Sequence, residues 1–146
     1  MLRQILWLDN DPAYLEPFVE ALKEENYSVT VVESLTEAEK SLQQEKFDLM
    51  IIDVMIPTLN SREETRYEPE ETDLGYKTGL IFYKHNREIL RRSNTRIMVM
   101  TVRLDKAIMD EFVKAGLPSN AFATKYEMSD PISFLDKVRS TIANQT

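Results

Sequence analysis

Short apolar runs alternate with amphipathic stretches along most of this chain. Residues 4–8, QILWL, stay largely apolar up to Asp9, as expected of a strand buried on both faces of a parallel sheet. Leu15, Phe18, Val19 and Leu22 then fall at the spacing of a helix packed on a core, with Pro17 either near its start or at a bend. Residues 27–32, YSVTVV, are rich in β-branched side chains and predict a second strand. The run Ser34-Leu35-Thr36-Glu37 has the form of a capping box, and Leu35, Ala38 and Leu42 share one face of the helix it opens. Residues 47–53, FDLMIID, predict a third strand that again ends in an acid, and 96–101, RIMVMT, a fourth.

The segment 78–92 resumes a helical pattern. Ala107, Ile108, Phe112 and Ala115 mark another helix, with Gly116 placed to end it. Residues 121–124 form a short fifth strand. A last helix opens at Ser129-Asp130-Pro131 and turns Leu135, Val138 and Ile142 inward. Strands and helices in alternation imply right-handed crossovers, hence an α/β fold: a doubly wound, five-stranded parallel sheet with helices on both faces. One stretch breaks the rhythm. Residues 58–77, TLNSREETRYEPEETDLGYK, are acidic and poor in apolar residues, which marks an inserted loop in a single domain spanning 1–146.

Length and composition narrow the function classes. A chain of 146 residues is the size of one ordinary domain, and 42% hydrophobic with 29% charged residues is a globular balance. Apolar runs such as 49–52 are far too short to span a membrane, so a cytoplasmic protein without membrane association is expected. The absence of cysteine removes disulfides and thiolate chemistry. With 18 basic against 25 acidic residues the net charge is -7, which disfavours direct binding of nucleic acid.

In an open parallel sheet, ligands sit at the carboxyl ends of the strands. The polar residues expected there are Asp9, Asn10 and Asp11 after the first strand, Asp53 after the third, Thr101 after the fourth and Lys125 after the fifth. Carboxylates suit a hard divalent cation such as magnesium. A cation, an ammonium and a hydroxyl together stabilise the oxygens of a phosphoryl group, and an aspartate can accept one as an acyl phosphate.

At these positions the chain resembles the receiver domains of two-component response regulators. The acidic pocket is matched by Asp9-Asn10-Asp11-Pro12, the phosphoacceptor by Asp53 in DVMIP, the strand-four hydroxyl by Thr101 and the lysine by Lys125 in TKY. The resemblance implies a flavodoxin-like sheet of order 2-1-3-4-5. It implies Mg2+ held by Asp9, Asn10, Asp11, Asp53 and the backbone carbonyl of Met55, with Thr101 and Phe122 as switch positions. It also implies phosphorylation of Asp53 by a histidine kinase or phosphotransfer protein, and signalling in trans to a protein partner that the sequence does not identify. A homodimer is compatible with this reading. Such a receiver catalyses its own phosphotransfer, and its own dephosphorylation at most, and is otherwise no enzyme.

The chain departs from the family pattern at several places. Asn10 stands where a second acid is usual, Val102 where a small residue follows the hydroxyl, and Tyr126 where a proline follows the lysine. The third helix is normally reached by a much shorter connection than 58–77. The alternative reading is a phosphorylation-independent pseudo-receiver, an interaction module whose metal site Asn10 has weakened. An aspartate-based phosphohydrolase needs a general acid two residues after the nucleophile, where this chain has Met55. Taken singly, Asp9, Asn10, Asp11 and Thr101 also suit helix capping, Phe122 a core aromatic, and His85 a surface residue of the third helix.

Overall fold

The computed structural model describes residues 2–56 and 77–144. In chain order the elements are β1 (Arg3–Leu8), α1 (Pro12–Glu24), β2 (Tyr27–Val32), α2 (Leu35–Gln44), β3 (Leu49–Ile52), α3 (Thr78–Arg92), β4 (Arg96–Thr101), α4 (Lys106–Lys114), β5 (Phe122–Thr124) and α5 (Pro131–Asn144). The strands form one sheet of order β2-β1-β3-β4-β5, every pair parallel. This is the doubly wound arrangement that the alternating pattern predicts.

Uninterrupted apolar strands are required because helices cover both faces of the sheet. Successive side chains of a strand point to opposite faces. Accordingly Leu6, Leu8, Met50, Ile52, Ile97 and Val99 join one core with α2, α3 and α4. Ile5, Trp7, Leu49, Ile51, Met98 and Met100 join the other with α1 and α5, where Trp7 stacks on Phe134 at 5.2 Å.

Local signals set the helix ends. Asp11 caps α1 by accepting from Tyr14 N (3.3 Å), with Pro12 in its first turn. Pro17 lies inside α1 and costs one backbone bond, to the carbonyl of exposed Ala13, which water can satisfy. The Ser34 hydroxyl accepts from Glu37 N (3.2 Å), so the expected capping box opens α2. Gly116 ends α4 at φ 111°, a left-handed conformation that glycine adopts without strain.

Four expectations need correction. The third strand is confined to Leu49–Ile52: Asp48 bends at its start, keeping backbone bonds to Gln4 O and from Arg96 N while its carboxylate accepts from Gln4 N at 2.7 Å. The fifth begins at Phe122, after a turn in which Ala121 N donates to Pro118 O. In α5 Val138 and Ile142 turn inward as expected, but Leu135 is only half-buried and Phe134, stacked on Trp7, is the fully buried residue beside it. Ala107 is exposed, and Phe112 carries the buried face of α4. The expected inserted loop, apart from Lys77, lies outside the described residues.

Candidate functional site: an acidic pocket at the strand ends

The carboxyl edge of the sheet is tied together by backbone. Asp9 N donates to Val32 O (3.0 Å), Asp53 N to Leu8 O (3.0 Å) and Lys125 N to Thr101 O (2.8 Å). Each residue just past a strand is therefore pinned to its neighbour, and Asp9, Asp53, Thr101 and Lys125 come together at the centre of the edge. All four are buried: Asp9 and Thr101 are 0% exposed, Asp53 4% and Lys125 7%.

Burying ionised groups is costly unless they are paired. Here the Lys125 ammonium stands between two carboxylates, 2.7 Å from Asp9 Oδ2 and 3.5 Å from Asp53 Oδ2. Asp9 Oδ1 accepts from Asp11 N at 2.9 Å and Asp53 Oδ1 from Met55 N at 3.3 Å. The contact to Asp9 Oδ2 is ionic without hydrogen-bond alignment, which leaves that oxygen buried and unsatisfied. The Thr101 hydroxyl is in the same condition: it lies near enough to Asp53 to favour the carboxylate, yet makes no hydrogen bond of normal geometry.

The electrostatics follow from this packing. Burial raises the Asp53 pKa above the usual carboxylate value, and Asp9 raises it further by repulsion. Lys125, Thr101 and the Met55 amide oppose this without cancelling it. For Lys125, burial acts to lower the pKa, but the close Asp9 and Asp53 carboxylates outweigh it, so the net shift is upward. The ammonium therefore stays charged at neutral pH.

Two further residues position Lys125, and the sequence reading passed over both. Tyr14, in the first turn of α1, donates from its hydroxyl to Lys125 O (3.0 Å), and its ring centroid lies 4.8 Å from Nζ. Glu127 folds the turn after β5: its Oε1 accepts from Thr124 N (3.1 Å) and Oγ1 (2.9 Å), while its own N–H donates to Thr124 Oγ1 (3.0 Å). The signal for Glu127 was present, since T-x-x-E is a capping-box pattern. Tyr14 left none.

Gly79 is a third positioning residue. Its N–H donates to Val54 O at 2.9 Å, and a Cβ there would lie within 2.2 Å of the Asp53 carbonyl oxygen. The absent side chain lets α3 pack directly against the peptide that carries Asp53. Beside it Thr78 Oγ1 donates to Ile56 O at 2.5 Å, so the chain leaving Asp53 and the chain entering α3 are clamped together.

The remaining sequence candidates lie around the rim. Asn10 is exposed, and the Asp11 carboxylate is engaged in capping α1. Met55 is half-buried. Phe122 packs edge-on against Phe112 of α4 with centroids 5.7 Å apart. Exposed Val102 and Tyr126 flank the pocket, and the Lys125–Tyr126 peptide is trans. His85 is exposed in the middle of α3.

Among the described residues no three acids or histidines form a ready-made metal cluster. Asp9 and Asp53 supply a pair, and the unsatisfied Asp9 Oδ2 is a hard oxygen donor. Such a donor set fits a divalent cation that keeps several of its waters, as magnesium does.

Comparisons with known proteins agree with this fold. Residues 5–66 match the response regulator receiver domain family. No curated protein matches the sequence. Among solved structures, the chain is similar to a CheY-like response regulator receiver domain protein from Methanospirillum hungatei, at 19% identity and TM-score 0.75, covering 98% of this chain and 95% of that one. A response regulator from Thermotoga maritima aligns at 20% identity and TM-score 0.71, over 99% and 100% of the two chains. One from Burkholderia pseudomallei, crystallised with a phosphorylated aspartic acid, a calcium ion and citrate, aligns at 19% and TM-score 0.69, over 97% of this chain and 69% of that one. No helix of the described residues is long and apolar enough to cross a membrane. Residues 5–66 thus match the response regulator receiver domain family, and the chain as a whole shares the fold of the solved receiver domains.

Proposed function

We propose that the chain is a receiver that accepts a phosphoryl group on Asp53 from a phosphohistidine of a kinase or phosphotransfer protein and passes the signal on through a change in its surface. The observation that carries this reading is the buried Thr101 hydroxyl without a hydrogen-bond partner, set beside Asp53 and Lys125. A buried polar group in that condition is held at a cost, and a new anionic oxygen at Asp53 would satisfy it.

In the transfer, a carboxylate oxygen of Asp53 attacks phosphorus, the P–N bond to the donor imidazole breaks, and its electron pair returns to the ring nitrogen. The Lys125 ammonium, already 3.5 Å from Asp53 Oδ2, faces the incoming phosphoryl oxygens. Thr101 donates its hydroxyl to one of them. Mg2+ would be held by the Asp9 and Asp53 carboxylates, with the Met55 carbonyl and the Asn10 amide as neutral oxygen donors and Asp11 at the rim. When bound it neutralises charge on the transferring group. Withdrawal of Thr101 and Lys125 toward the phosphoryl group would shift the β4–α4 and β5–α5 connections, with Phe122 beside them, between two conformers that a partner reads.

A second reading is a pseudo-receiver that works without phosphorylation, and exposed Asn10 together with Lys125 between the two carboxylates favours it. There the ammonium alone balances the buried acids. One experiment separates the two. The intact protein is treated with a small acyl-phosphate donor with and without magnesium, and its mass is measured. The receiver reading expects a magnesium-dependent gain of one phosphate that Asp53→Asn abolishes. No gain in the wild type sinks the receiver reading, and an undiminished gain in Asp53→Asn sinks the site assignment.

A further inference from the structure

A cavity of about 260 Å3 opens at the opposite edge of the sheet, where α3 and α4 end and β4 begins. Five strand steps run from Arg96 at its rim to Thr101, about 16 Å at the rise of a strand. Its floor is apolar, built from Leu90, Ile97 and Leu117 of the core beneath α3 and α4. Three guanidinium groups stand around it: Arg87 and Arg91 from α3, one turn apart on the same face, and Arg96 from the first position of β4. Tyr83 lies one further turn back on that face.

Part of this arrangement closes the helix ends. Arg87 Nη1 donates to Ala115 O at the end of α4 (3.1 Å), Arg96 Nη1 to Asn94 O (3.3 Å), and Arg91 pairs with Glu88 at 2.6 Å. Cations near helix C-termini offset the helix dipole. Capping does not account for Tyr83, which lines the cavity at 7% exposure beside Arg87 and packs its ring against Phe112. Gly116 faces its hydroxyl, since a Cβ there would make van der Waals contact with Tyr83 Oη at 3.8 Å. Burial raises the Tyr83 pKa against the pull of Arg87 and Arg91, so the phenol is a neutral donor beside two cations.

We propose that this cavity is a binding site for a small organic phosphate of the nucleoside monophosphate class, its phosphate on Arg87 and Arg91 and its flat base on the Ile97–Leu117 floor beneath Tyr83. A guanidinium offers five N–H donors in a planar fork that matches phosphate oxygens, and the bonds to Ala115 and Glu88 leave donors over on both arginines. At about 260 Å3 the cavity lies just below the usual range of ligand pockets, which restricts its occupant to a small molecule, a mononucleotide at most. The site is independent of Asp53, and the molecule would carry one anion pocket at each edge of its sheet.

Titration of the 15N-labelled full chain with AMP, adenosine and inorganic phosphate tests it. AMP is expected to shift the amides of Asn94, Thr95, Gly116 and Leu117 saturably, adenosine and phosphate each binding more weakly. Arg91→Glu, at a side chain 78% exposed and therefore compatible with folding, should weaken AMP about tenfold or more while leaving distant amides in place. Tyr83→Phe should weaken it by a smaller factor, and Asp53→Asn should leave it unchanged. Absence of saturable shifts at these amides, AMP binding indifferent to Arg91→Glu, or adenosine binding as tightly as AMP would each overturn the proposal.

Discussion

The Lys125 ammonium and the Asp9 carboxylate meet at 2.7 Å with 7% and 0% of their side chains exposed. With Asp53 at 3.5 Å, one cation serves two buried anions. Removing it leaves both acids uncompensated, so Lys125→Met should lower the unfolding free energy by about 3–5 kcal/mol. Removing one acid should act in the other direction. Burial and Asp9 already disfavour the Asp53 charge, so Asp53→Asn should stabilise the fold by roughly 1 kcal/mol. Urea unfolding of the two variants checks both signs, and a destabilised Asp53→Asn would refute the picture of a charge held against its environment.

Tyr14 contacts Lys125 twice, through its hydroxyl and through its ring. Tyr14→Phe removes only the bond to the Lys125 carbonyl and should cost about 1 kcal/mol. Tyr14→Leu also removes the ring beneath the ammonium and should cost roughly 0.5–1 kcal/mol more. Equal losses in thermal unfolding would show that the ring contact contributes nothing.

Gly79 touches the Asp53 peptide so closely that no larger residue fits without displacing backbone. Gly79→Ala should therefore destabilise the protein by about 3 kcal/mol, although alanine is the better helix former and would gain close to 1 kcal/mol at an exposed position. In the phosphorylation assay it should also slow transfer, because the displaced peptide is the one that carries the acceptor. Unaltered stability would mean that α3 can shift away without consequence.

Much of this was legible in the sequence. Uninterrupted apolar strands and helical stripes fixed the class of the sheet, because burial on both faces dictates the pattern. Acids and a lysine at strand ends pointed to the pocket, because parallel strands deliver their carboxyl ends to one edge. What escaped was whatever depends on tertiary approach. Tyr14 reads as a residue beside the helix stripe until α1 packs against the turn after β5. Phe134 rather than Leu135 faces the core because of its stacking on Trp7, which no local period reveals. Gly79 had a helix-start position but no hint of the peptide pressed against it.

The clamp between Thr78 and Ile56 brings both ends of the segment between them together. Loop length contributes only weakly to closure entropy, so replacing residues 58–75 by a short Gly-Ser linker should leave the fold intact. Thr78→Val, by contrast, leaves the Ile56 carbonyl without that donor at a buried position and should cost about 1–3 kcal/mol. Circular dichroism and thermal unfolding of the two variants give the comparison, and a linker variant less stable than Thr78→Val would contradict it.

The turn after β5 and the start of α5 make stability depend on acid pH. Glu127 is held below the usual carboxylate range by hydrogen bonds from the Thr124 N–H and hydroxyl, and Asp130 by those from the Ser133 N–H and hydroxyl (2.9 and 2.8 Å). A carboxyl whose pKa is depressed on folding binds its proton more readily in the unfolded chain. Its contribution is therefore complete above the unfolded value, about 4, and is lost as pH falls through the lower folded value. Asp130→Ala and Glu127→Ala should accordingly be less stable than the wild type at neutral pH. The difference should shrink steadily as pH is lowered below about 4. Unfolding free energies measured across the acid range test this, and a difference independent of pH would show that the two side chains act through packing rather than through their charge.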